Sequence, residues 1–306
     1  MPGSMTAQDL IDLSRVGFRG EVTAVINPVG ASLEGLEVDS LALIQRFAPG
    51  VPRPFYAGVT LAPWPNRIAN GQWEWEGETF QLAITDPDRG AALHGFVSDR
   101  EFSIRSSTNS SLELVCSLEE QPGYPFALEV SVRYDLTDSG IRCTASASNT
   151  GSRPAPVALG GHPFVCVGDE PVRSLTLVSP VNREVVVDSR LLPVGVSAVD
   201  QDSPEGKVFT LASASLDTTF GMSGPGPWRT ILESAGGGRV VVWQDSTLPW
   251  LQLFTTDQFP GPQGAVSALA IEPMSAPPHA FATGEDIRVV APGEGMSVAW
   301  GIDREN

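Results

Sequence analysis

The 306-residue chain is poor in positive charge. It has one lysine, Lys207, and arginine supplies the rest of its 19 basic residues, against 36 acidic ones, for a formal net charge of −17. Nucleic acid and anionic membrane surfaces would be repelled and are excluded as partners. A phosphorylated substrate is disfavoured but not excluded, because arginines can cluster locally. There are only three cysteines, Cys116, Cys143 and Cys166. An odd number without metal-ligand spacing gives neither a disulfide framework nor a zinc site, so reduced thiols and a cytoplasmic location are expected. No apolar run approaches the roughly 20 residues of a membrane span. The start, "MPGSMTAQDL", has no signal-peptide core; "MPGS" reads as a cloning remnant, leaving 5–306 as one domain. Also missing are a G-x-S-x-G elbow, a P-loop, a G-x-G-x-x-G turn and H-x-H or H-E-x-x-H spacing. A nucleophile-elbow hydrolase and a bound nucleotide are therefore unsupported, a metal is unsupported, and no cofactor is expected.

What the chain has in quantity is period-two alternation. Leu128, Val130, Val132, Tyr134 and Leu136 alternate with Glu129, Ser131, Arg133 and Asp135. "TDSG" then turns into Ile141, Cys143, Ala145 and Ala147, and 112–118 alternates upstream. The stretch 110–149 reads as an antiparallel meander. Further strands are expected at 21–27, 74–82, 175–178, 184–188, 239–244, 250–255, 267–272 and 296–302, and helix only at 7–13 and for a turn or two near 40–46. The 31 glycines and 26 prolines exceed the roughly 12% of average composition and fall between these runs as turn chemistry. With no repeat and no linker, the fold class is all-β, one large antiparallel β-sandwich.

Five polar residues stand in or beside apolar runs: Arg67 in "LAPWPNRIANG", His94 in "AALHGFV", His162 in "ALGGHPFVCVG", Asp217 in "ASLDTTF" and Glu272 in "ALAIEPM". Each histidine could be a hydrogen-bonded core residue, Arg67 a turn arginine, and Asp217 an Asx-turn or helix cap. Glu272 is sharper, since a carboxylate inside an apolar strand is costly unless paired or functional. His279, in "APPHAF", reads as a loop residue. Two imidazoles and a carboxylate, without a nucleophile, suit proton transfer.

Six segments, "APWPNRIANGQWEWEGETFQL", "ALHGFV", "LGGHPFV", "SLDTTF", "WLQLFTTD" and "AIEPMSAPPHAFATGEDI", resemble in order and interval the motifs of the aldose 1-epimerase (galactose mutarotase) family, from about residue 20 to the C-terminus. The resemblance implies a large β-sandwich with an open carbohydrate-binding face and cofactor-free interconversion of sugar anomers. It implies Glu272 as general base and His162 as general acid. Arg67 and His94 become sugar contacts, with Asn66 beside them, and Asp217 an acceptor for sugar hydroxyls. Among the seven tryptophans, Trp64, Trp73, Trp75 and Trp250 lie inside matched motifs, and Trp64 and Trp250 are taken as the first candidates for sugar stacking. The family pattern leads one to expect a tryptophan or basic residue soon after "LHG", where this chain has "FVSDREF", and an asparagine after the double proline, where it has His279. Two other readings accompany the resemblance. A hexose-6-phosphate 1-epimerase would need converging arginines, for which Arg53, Arg67, Arg89 and Arg100 are the candidates. A non-catalytic sugar binder would need no acid–base pair.

Overall fold

The computed structural model describes residues 10–18 and 20–305. The "MPGS" stretch and the first part of the expected helix at 7–13 lie outside them. The rest of that helix is a strand, Ile11–Gly17, the first of a four-stranded sheet with Gly20–Asn27, Ser32–Val38 and Leu41–Ala42. The helical turn expected near 40–46 is likewise replaced by Leu41–Ala42 and an isolated bridge from Ile44 to Val165. In both places strand pairing decides, with Leu41–Ala42 paired to the end of Ser32–Val38. Ile11, Leu13 and Val16 offer too short an apolar pattern to define a period, and pairing with Gly20–Asn27 decides the conformation.

Two large antiparallel sheets form the body. The nine-stranded sheet runs Ser103–Ser107, Ser111–Leu118, Leu128–Leu136, Gly140–Asn149, Gly295–Glu305, Arg239–Gln244, Trp228–Glu233, Thr176–Ser179, Lys207–Thr210. The second runs Pro193–Ala198, Arg183–Val187, Asp217–Gly221, Trp250–Gly261, Gly264–Met274, Gly160–Gly161, Thr60–Leu61, with Phe164–Val165 also paired to Gly264–Met274. The meander at 110–149 is present, and its inward residues Leu112, Leu114, Val130, Val132, Ile141 and Ala145 are all buried. The expected strand 74–82 is a hairpin instead, Gln72–Trp75 and Glu78–Gln81, reversed at Glu76 and Gly77, both in the left-handed region. Among the described residues the only α-helix is the single turn Ala280–Thr283.

The second sheet has two differently used faces. Leu251 and Leu253, with Leu269 and Ile271 on the next strand, join the main core with residues of the nine-stranded sheet such as Leu232 and Val240. The alternate residues Gln252, Phe254, Ala270 and Glu272 point the other way, because side chains along a strand alternate between faces. That second face carries the functional groups. It is also covered, so Ala268 to Met274 are buried without interruption.

Candidate active site

Three adjacent strands place polar side chains side by side. The ladder pairs Thr219 with Gln252 and Gln252 with Glu272. Two residues along, Asp217 is opposite Phe254 and on the same face. His162 completes the row. Gly160 pairs with Met274 and Phe164 with Ala270, so the register sets His162 opposite Glu272. Pro163 has no N–H to donate, so the ladder is interrupted there, while Ile271 N–H still donates to Pro163 O at 3.1 Å. His162 is fixed from the other side by its N–H to Val59 O (3.0 Å) and by Gly58 N–H to its own carbonyl (2.8 Å). At Gly161 a Cβ would stand 2.8 Å from the Trp300 ring, which accounts for a glycine beside the imidazole.

These groups line a cavity of about 150 Å³ together with Phe55, Tyr56, Asn66, Arg67, Leu93 and His94. A larger depression of about 440 Å³, near Leu41, Asp169, Glu170 and Ser234, is a more open groove without an imidazole. Four lining residues, Phe55, Tyr56, Asn66 and His94, hold positive φ between 47° and 59°. Non-glycine residues seldom adopt this conformation, and its concentration in the loops over the sheet marks backbone held against local preference to aim side chains.

His162 Nε2 lies 3.3 Å from Glu272 Oε1, and both residues are buried. The other atoms of this pair, His162 Nδ1 and Glu272 Oε2, are buried without a hydrogen-bond partner. Buried atoms of this kind also occur elsewhere, as at Trp64 Nε1 and Gln244 Oε1, but these two belong to residues that line a cavity, where a ligand can supply the partner. Burial pushes the Glu272 carboxyl well above its ordinary range, with Asp217 adding to the rise and Arg67 opposing it. Burial also pulls His162 down, so its imidazole is neutral at pH 7. His94 is lowered by burial, then by His162 and Arg67. Burial thus shifts the two groups in opposite directions, each toward its neutral form.

His94 has a defined tautomer. Asn66 N–H donates to its Nδ1 (3.1 Å), so the proton sits on Nε2. Ligating atoms of His94, His162 and Glu272 all lie within 4.8 Å of one another, close enough to hold a metal ion. A protonated Nε2 cannot donate a lone pair, however, so the set offers two ligands rather than three and fits a metal poorly. The same Nε2–H suits donation to a ligand oxygen. Tyr56 packs against the ring at 4.8 Å, and His162 meets it edge-on at 5.4 Å.

Arg67 donates Nε–H to Asp86 at 2.8 Å. Its strand is held by His279, which donates N–H to Arg67 O (2.6 Å) and accepts Ala69 N–H at Nδ1 (3.2 Å). His279 is therefore a support behind the site, not part of its lining. Gln252, which the motif reading passed over, is the centre of the polar network. It donates to Asp217 Oδ1 (2.6 Å) and accepts from Asn66 Nδ2 (3.2 Å) and from the Thr219 hydroxyl. Burial raises the Asp217 carboxyl, while Arg67, Arg89 and Gln252 oppose the rise.

Of the residues expected at the site, Glu272, His162, His94, Arg67, Asn66 and Asp217 come together in one cavity. Trp64 and Trp250 do not. Trp64 is packed edge-on against Phe96 at 4.9 Å, and Trp250 is buried with its Nε1–H on Asp286 (2.8 Å) and the Arg183 guanidinium 4.0 Å over its ring. Motif membership placed them correctly in the chain but could not say which face they occupy. The aromatic surface of the cavity comes instead from Phe55, Tyr56 and Phe254. Arg53 and Arg100 are also absent: Arg53 is tied to Glu34 and to two carbonyls, Arg100 to Phe96 O and Gln121.

Comparison with known proteins shows the fold and the family. Solved structures of a putative aldose 1-epimerase from Escherichia coli K12 (TM-score 0.80, 20% identity, 97% of this chain and 98% of that one) and of a GalM/aldose epimerase homologue from C. elegans (TM-score 0.82, 18% identity, 97% and 99%) share the fold. In sequence, the uncharacterized E. coli protein YihR is 31% identical over 277 residues, 90% of this chain and 88% of its own length. The E. coli aldose 1-epimerase is 25% identical over 221 residues, 66% of this chain and 61% of its length. The sequence model of the aldose 1-epimerase family matches residues 14–301, and the chain belongs to that family.

Proposed function

We propose that the protein is an aldose 1-epimerase that interconverts the α and β anomers of a neutral hexose such as galactose or glucose, with Glu272 as general base and His162 as general acid. The observation that carries the reading is the buried Glu272–His162 contact at 3.3 Å, flanked by two unpartnered polar atoms at the floor of a cavity lined by hydroxyl-binding groups.

Mutarotation moves two protons. One leaves the C1 hydroxyl as the ring opens, and one is delivered to the ring oxygen. Rotation about C1–C2 and reclosure on the other carbonyl face reverse both transfers. The two oxygens share one carbon, so base and acid must be neighbours, as side chains on adjacent strands are. Glu272 takes the hydroxyl proton, and His162 serves the ring oxygen. Burial raises the carboxyl and lowers the imidazole, which makes Glu272 a stronger base and protonated His162 a stronger acid than either would be in water. His94 Nε2–H and the Arg67 guanidinium donate to sugar oxygens as negative charge develops. Asp217 and Gln252 hold hydroxyls, and Tyr56 and Phe254 cover the apolar face of the ring.

The arginine pattern does not favour a phosphorylated substrate, since Arg67 alone of the four arginine candidates lines the cavity, and Asp217 faces it. A purely binding role leaves the acid–base pair without a purpose. The test is polarimetry on freshly dissolved α-glucose and α-galactose. The protein is expected to shorten the decay of optical rotation in proportion to its concentration. A decay equal to that of buffer for every aldose tried would remove the enzymatic reading.

A further inference from the structure

Arg67 is the only cationic side chain among the described residues lining the cavity, and it is already engaged. Its Nε–H is bound to Asp86 Oδ2 at 2.8 Å, in a pair whose side chains are only 14% and 15% exposed. Asp86 is itself held in place by a tight turn: its N–H and C=O both bond Ala91, and Arg89 N–H also reaches its carbonyl. The carboxylate is not part of the lining, so it has no direct contact to offer a sugar.

We propose that Asp86 is the residue that makes this site select uncharged over anionic sugars, by cancelling the charge of Arg67 while leaving its remaining N–H groups free to donate. The proposal rests on the mutarotase reading above. With Arg67 neutralised, the Asp217 carboxylate has no unpaired cation beside it in the lining, Arg89 acting on it only from outside, and a phosphate or carboxylate on the sugar meets that negative charge. Asp86 is felt across the cavity: after burial it is the next cause raising the Tyr56 phenol, ahead of Asp99, and it also raises Asp217. The nearby cations outside the lining are committed elsewhere. Arg89 donates to Ser189 O, while Arg190 lies 3.6 Å from Asp188 and bonds Asn70. A guanidinium in a neutral pair still supplies oriented N–H groups, and those serve hydroxyls as well as charges.

Asp86→Asn keeps the shape and an acceptor for Arg67 Nε–H but removes the charge. Asp86→Glu keeps the charge and disturbs the geometry. Anomer exchange of glucose and of glucose 6-phosphate, read by NMR saturation transfer in one tube, gives the ratio of kcat/KM for the two sugars. The wild-type protein and Asp86→Glu are expected to favour glucose equally, and Asp86→Asn to move the ratio about tenfold toward glucose 6-phosphate, the size of one charge acting over several ångströms in a partly screened site. A purely structural role for Asp86 would lower both rates together and leave the ratio alone. A ratio unchanged within about twofold in Asp86→Asn, or a wild type that prefers the anionic sugar, overturns the proposal. Should Asp86→Asn fail to fold, Asp86→Ser is read by the same criterion. If the wild type exchanges neither sugar, the mutarotase reading fails separately. The ratio is then taken from the two dissociation constants by calorimetry, and an unchanged ratio or no binding of either sugar overturns the charge-selection proposal as well.

Discussion

The meander from Ser103 to Asn149 and the strand pair from Trp250 to Met274 are built from the same antiparallel ladder, yet they use their faces in opposite ways. In the meander one face is apolar and the other meets solvent, so Leu128–Leu136 alternates between buried and accessible residues. Along Gly264–Met274 the last seven residues are all buried, and the face turned from the main core holds Glu272 beside Gln252 and His162. One sheet face stabilises by excluding water from hydrocarbon. The other excludes water from groups that would be more stable wet, and its loops sit at unfavourable backbone angles to aim them. Stability and activity should therefore respond to different substitutions.

The largest separation is expected from Glu272→Gln. The amide resembles the protonated carboxyl that burial favours, so the fold should be retained while acceleration of mutarotation drops by about 10²–10⁴-fold in polarimetry. Full activity in this variant would remove Glu272 from its role. In the meander, Leu114→Ala deletes a fully buried side chain opposite Val132 and should cost about 2–5 kcal/mol in urea denaturation while kcat is unchanged. A matching loss of kcat would show the two regions to be coupled. Between these extremes, Gln252→Leu strands the Asn66 amide, the Thr219 hydroxyl and the Asp217 carboxylate at once, and should both raise KM and cost about 1–3 kcal/mol. The smallest effect is a slope. The lowered His162 stays neutral in the fold while the unfolded chain takes up a proton near pH 6.5, so its contribution to stability is present above that pH and is lost as pH falls. His162→Gln should flatten the acid side of the stability curve, by about 0.7 kcal/mol per pH unit at 6.5 and approaching about 1.4 a unit or more below it. An unaltered slope would mean that the imidazole titrates normally.

The same contrast governs what could be read beforehand. Alternation placed the Ser111–Asn149 part of the meander to within a residue, because solvent on one face writes a period into the sequence. Ser103–Ser107 is wholly exposed and Pro193–Ala198 nearly so, and neither carries such a signal. Glu272 was conspicuous as a charge among aliphatic neighbours, and the histidines were conspicuous by scarcity. Gln252 was not, since an uncharged polar residue on a strand has many ordinary explanations. Only its register beside Glu272 reveals it, and register is a property of two strands together. Phe55 and Tyr56 escaped notice because left-handed backbone at an aromatic residue has no local cause in "RPFYAG"; the tertiary contacts of Phe55 with Phe164, Phe254 and Phe259 impose it.

The placement of His162 opposite Glu272 carries a rule of parity. Along Trp250–Gly261 and Gly264–Met274 the even-numbered positions from Gln252 to Phe254 and from Ala268 to Met274 share the functional face, and the odd-numbered ones share the core. Insertion of a single residue within either strand would exchange the two sets, sending the carboxylate into hydrocarbon and leucines into the cavity, whereas insertion of two would restore the facing. Length variation between members of the family should therefore collect at hairpin ends such as Gly261–Gly264, and where it enters these strands it should come in pairs or as a bulge that absorbs the odd residue. The chemistry is protected by counting as much as by residue identity.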